Sequence, residues 1–180
     1  MSGPASPSIL NYTIGKGIAA LKFIDSAESD FTPMGNCPAF EFTPDLETLD
    51  HFSSMAGVKS KDRTVVISKS GTLKITAEEW TTRNMSIALL GDTSVDSSGR
   101  TVIDIFSKNS IACEVKFTGT NEVGQKFEWH FLRVEFVPSS AISPISDEWG
   151  QLEVTGNVVA VAGKFGTVTH LGGEGDDATT

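Results

Sequence analysis

Three histidines and two cysteines are the residues from which a metal or nucleophilic site would have to be built. His51, His130 and His170 lie far apart in the chain, and none has a second His or Cys at ligand spacing, so no zinc-type set forms. Cys37 and Cys113 lack CxxC spacing and a neighbouring His, which marks them as reduced core residues. No Ser, Thr or Cys stands in a GxSxG or related nucleophile motif. The carboxylates Glu41, Asp45, Glu47 and Asp50 match no acid–base spacing. Gly15-Lys16-Gly17 lacks the GxxxxGK[ST] pattern of a phosphate loop. GDTSVDSSGR resembles a calcium loop at first sight. Counted from Asp92, however, it puts Ser97 where glycine is needed and Ile103 where the bidentate glutamate belongs. The expectation is a chain with no catalytic residue, no metal and no cofactor.

The elements that would position any site read mostly as strand. At 180 residues, with 39% hydrophobic and 21% charged residues, the chain has the size and composition of one globular domain. Its 11 Phe and 3 Trp, with many Val and Ile, favour sheet. A formal charge of −9 makes duplex DNA and anionic membranes poor binding partners, although an acidic wall would let a polyanion slide past. No signal-peptide pattern or bilayer-length apolar run occurs, so the product is expected to be made and kept in a cytoplasm.

One helix is expected, at about 77–90. Thr76 and Glu79 have capping-box spacing, Glu78 and Glu79 suit the first turn, and Gly91 supplies a left-handed stop. On it Met85 and Leu89 fall opposite the core stripe, so either another strand or another subunit covers them. Residues 1–10 read as a loose arm and 163–180 as a Gly-rich acidic tail. Pro38 and Pro44 bracket a short or edge strand carrying Phe40 and Phe42, and the segment from Leu46 to Phe52 fits helix or strand. MAGVKSKD (55–62) reads as a loop or hairpin tip bearing Lys59 and Lys61. RTVVISKSGTLKIT then reads as a hairpin turning at Ser70-Gly71, and TVIDIFSK with IACEVKFTGT as a second one. In KFEWHFLRVEFVP, Phe127, Trp129 and Phe131 share one face whereas Leu132, Val134 and Phe136 share the other. That change of phase demands a bulge, a bend between layers, or burial on both faces.

The ordered set YTIGKG, GNCPAFEFTPDLETLDHFSS, a Lys-bearing loop, TLKITAEEWTTRNMSIALLGD and EWGQLEVTGNVVAV resembles the tail tube (major tail) proteins of long-tailed bacteriophages, over residues 11–162. The resemblance implies a mainly β fold, a sandwich or split barrel with one flanking helix and a long inter-ring hairpin. It also implies hexameric rings stacked into a tube through which genomic DNA passes without sequence-specific binding. Tape measure, terminator, and distal tail or baseplate proteins are the implied partners, with assembly in the host cytoplasm and residence in the virion tail. By position, Asp50, Lys59, Lys61 and Asp62 fall in the ring-stacking loop, and Met85 and Leu89 become subunit-interface candidates. The implied fold is also similar to the inner-tube protein of type VI secretion machines, so the inner tube of a tail-like particle or secretion machine is a second reading. A third is a non-catalytic β-sandwich binding module for carbohydrate or protein, using Trp129, Trp149 and the Phe127/Phe131 pair.

Overall fold

The computed structural model describes residues 11–55 and 57–173; the expected arm at 1–10 and the last residues of the expected tail lie outside them. Within them the chain is mainly β, with one short helix and a large antiparallel sheet. In chain order the elements are β1 (Gly17–Phe23), β2 (Thr32–Pro33), β3 (Ala39–Ser53), β4 (Ser60–Ala77), α1 (Thr82–Ala88), β5 (Asp92–Val95), β6 (Thr101–Asp104), β7 (Ile111–Gly119), β8 (Gln125–Pro138), β9 (Leu152–Val158) and β10 (Gly166–Gly173). The hydrogen-bonded path runs β2-β1-β7-β8-β9-β4-β3, with β10 also paired to β8, while β5 and β6 form a separate hairpin.

The expected change of phase in β8 has a structural cause. Cys113 pairs with Val134 but Val115 pairs with Phe131, so β8 carries one extra residue there, a bulge that re-aims its side chains. On its other flank β8 pairs with β10 through Phe131 and with β9 from Val134 onward. The strand thus serves two neighbours in turn, and Trp129 and Phe131 before the bulge and Val134 and Phe136 after it all reach the interior.

The sheet curls until β3, at one end of its path, faces β7 and β8 in the middle. Phe40 and Phe42 of β3 meet Phe117, Trp129 and Phe131 of β7 and β8, with Phe40 and Phe117 stacked at 4.8 Å between ring centres. Leu21, Leu73, Ile75, Val115, Val134, Phe136 and Leu152 fill the space between. Burial lifts the Cys113 thiol to about 12. Burial, with Glu79 and Glu78 nearby, lifts Cys37 to about 11. Both are free thiols that stay protonated.

Several local expectations are corrected. The helix starts not at Thr76 but at Thr81, whose side chain accepts from the Asn84 amide. Thr76 and Ala77 instead pair with Glu153 and Leu152 of β9, since sheet pairing with burial of Ile75 and Ala77 outweighs a local cap. Glu79 is then free to accept from the Asn36 amide at 3.2 Å. At the other end the left-handed residue is Leu90, with φ of 48°. Gly91 is needed for close approach, because a Cβ there would stand 2.5 Å from Ile103 and 2.8 Å from the Asp104 carbonyl oxygen. Ser70 and Gly71 do not form a turn but pair with Asp45 and Pro44 inside one continuous strand. TVID pairs with DTSV in the β5–β6 hairpin and not with β7. Residues 166–173 of the expected tail are β10.

Arg83 ties the helix to the sheet. Its guanidinium grips the Glu28 carboxylate through two nitrogens at 2.5 and 2.8 Å, donates to the Leu21 carbonyl at 2.9 Å, and lies 4.2 Å from the Phe23 ring centre. The hydrogen bond from Arg83 holds Glu28 below the ordinary carboxylate range despite partial burial.

Candidate assembly surface

The strongest functional feature is built from the outer halves of β3 and β4. Strand β9 covers β4 only from Thr72 to Ala77, and β3 is the end of the sheet path. Residues 44–53 and 60–71 therefore leave the body as a two-stranded arm, on the order of 30 Å long at ~3.3 Å per residue. Pro44, which has no N–H to give, sits on this outermost strand, as a proline in a sheet should. The segment left open between helix and strand, Leu46 to Phe52, is strand throughout, because each residue pairs across the arm.

Pairing sorts its side chains onto two faces. Leu46, Thr48, Asp50 and Phe52 share one face with Lys69, Val66, Thr64 and Lys61; Asp45, Glu47, Leu49 and His51 share the other with Ser70, Ser68, Val65 and Arg63. Two shifts of register, at Ile67 and at Asp62, add one extra residue each to β4 and increase its twist. Apolar groups are exposed on both faces: Leu46 is 59% and Leu49 63% exposed, with Phe52, Val65, Val66 and Ile67 near half. At the tip Met55 is 97% and Val58 84% exposed.

The charged residues expected to reach a neighbour are in large part engaged within the arm. Asp50 accepts from the Thr64 hydroxyl at 2.6 Å and from Lys61 Nζ at 3.1 Å, which hold its carboxyl below the usual range. Asp62 meets His51 Nδ1 at 2.6 Å. Lys59 alone of the four named loop residues makes no ion pair among the described residues. Met85 and Leu89 do not form an outward stripe either. Both are half-buried, and Met85 packs against the chain's own core.

The remaining candidates for chemistry stand apart. His130 meets Glu114 at 2.6 Å and His170 meets Gln125 at 2.6 Å, on different strands from His51. Burial raises Glu114, but hydrogen bonds from Lys22 and His130 outweigh it and hold the group low. Of the aromatics considered for a binding face, Phe131 is buried, Trp129 packs against the core and Phe127 lies against His170. Trp149 projects alone from the loop before β9, 91% exposed. Among the described residues no helix is long and apolar enough to cross a membrane.

The fold is a mainly β body with one helix and a large antiparallel sheet, from which one two-stranded arm with exposed apolar residues extends. The chain is a member of the family described as protein of unknown function UCP028589, whose profile matches residues 12–104, from β1 through the arm and helix to β6. No curated protein matches it.

Proposed function

We propose that the chain is a structural subunit that assembles with copies of itself, and that the assembly is the tail tube of a long-tailed bacteriophage. In this reading hexameric rings stack into a hollow tube in the host cytoplasm and remain in the virion tail, meeting tape measure, terminator and distal tail or baseplate proteins at the ends. One observation carries it: an arm with apolar residues exposed on both faces and, among the described residues, no third strand over it. A two-stranded ribbon alone is marginally stable in water, and a long edge with apolar exposure invites pairing. A neighbouring subunit supplies the cover. An arm that reaches a different surface of the next copy makes a heterologous contact, which closes into rings or continues into filaments. Six copies of a chain with charge −9 give a strongly acidic ring, and acidic walls would let DNA pass without holding it.

The test is negative-stain electron microscopy of the purified protein over a concentration series. Rings or stacked hollow tubes are the expected outcome. Uniform single copies at every concentration would count against the assembly and favour a binding module.

A further inference from the structure

We propose that the arm's tip docks, copy to copy, into a groove at the far end of the same strand, so that β4 carries a plug at one end and its socket at the other. The inference rests on the reading of the chain as a self-assembling subunit and adds the partner surface for its arm. Ser60 starts β4 at the tip, and Ala77 ends it in the body, up to roughly 55 Å away along a strand rising ~3.3 Å per residue. Immediately after Ala77, a groove of about 910 Å³ is walled by Glu78 on one side and by Asp147, Glu148 and Trp149 of the loop before β9 on the other. A neighbouring depression of about 350 Å³ shares Glu78, Glu148 and Trp149 and reaches Trp80.

The groove wall is a built surface. Trp80 lies flat on Gly150, where an added Cβ would come within 2.9 Å of three indole atoms. Glu78 is held by Asn36 and by Gln151 Nε2 at 3.4 Å. Yet the groove's indole is unspent, with Trp149 91% exposed. Among the described residues none of the three groove carboxylates has an ion-pair partner.

The tip complements each of these properties. Met55 and Val58 are the most exposed apolar residues of the arm, and Lys59 beside them has its charge unspent. A flexible thioether on an indole is a favourable contact. An ammonium beside a tryptophan face and carboxylates gains from both. Within one copy the plug and socket sit at opposite ends of β4, so the contact joins different copies, head to tail, and each added copy presents a new tip. One tip buries less than the ~1,200 Å² of a standard stable interface, so it acts as an anchor within a wider contact. Several tips engaging at once would multiply its effect.

Two variants test this, each altered only at exposed positions. One is Val58→Asp with Lys59→Glu at the tip; the other is Glu148→Lys with Trp149→Ala at the groove. Wild-type protein should elongate in sedimentation velocity, while each variant stops at its smallest closed unit, with a critical concentration raised on the order of tenfold or more. An equimolar mixture should yield a species of twice that unit's mass and grow no further, because the tip variant keeps its groove and the groove variant keeps its tip. Variants that elongate like wild type, or a mixture that forms no paired species, would overturn the docking and leave self-assembly standing. Wild-type protein that remains a single copy at all concentrations would overturn both.

Discussion

Replacing Leu46 and Leu49 by serine separates folding from assembly, because the two side chains lie on opposite faces of the arm and neither touches the core. Fully burying a leucine side chain is worth about 1.5–3 kcal/mol. With 59% and 63% of these residues exposed in the single chain, cover by a neighbour would stabilise each by about 1–2 kcal/mol. The pair therefore carries about 2–4 kcal/mol of contact per subunit, and each 1.4 kcal/mol is about tenfold in an association constant. Leu46→Ser/Leu49→Ser should raise the critical concentration for assembly roughly 30- to 700-fold. Substitution at exposed sites changes stability by only about 0.5 kcal/mol, so the melting temperature of the dissociated protein should barely move. Light scattering against concentration gives the first quantity and thermal denaturation below the assembly threshold the second. Assembly at the wild-type concentration would refute the assignment of the arm as the contact. A large fall in melting temperature would refute the claim that the arm lies outside the core.

Three further substitutions probe the frame that holds the arm. Arg83→Met takes the guanidinium from the Leu21 carbonyl and from Glu28, which keeps only the Phe23 amide, and should cost about 2 kcal/mol by urea unfolding at neutral pH. Because Glu28 is held below its ordinary value near 4.5, its contribution is present above that value and lost as pH falls through the lowered one; the variant should lose that part of the acid-side slope. Thr81→Ala removes the observed cap and should cost about 1 kcal/mol, measured in the same way, whereas no loss would indicate that another group caps α1. Gly166→Val would place a Cβ 2.2 Å from the His130 carbonyl oxygen, a backbone atom that cannot turn aside. The strain should cost about 1–3 kcal/mol and strip hydrogen-exchange protection from β10, while unchanged protection there would contradict the observed pairing.

Much of the β-architecture is present in local pattern. Alternating apolar residues make the segments at 17–23, 111–119 and 125–138 into strands wherever they are placed, and the phase change at Leu132 requires a bulge or a change of neighbour in any fold. The loop expected at 55–62 is readable only in part, since Ser60, Lys61 and Asp62 already belong to β4. Other features depended on partners remote in sequence. Thr76 has a capping spacing, but β9, some eighty residues later, claims its backbone. Ser70-Gly71 has turn chemistry, but Asp45 and Pro44 hold it straight. Lys61 reads as a free cation until register sets it opposite Phe52, on the same face as Asp50 and within reach of its carboxylate. The sequence by itself determined that the chain would be mainly β with one helix and that apolar strand surface was in excess; only the tertiary structure decided how many strands there are and where that excess emerges. Periodicity is a property of neighbours along the chain, whereas exposure depends on which strand runs out of partners, and that is settled by long-range pairing of β3, β4 and β9.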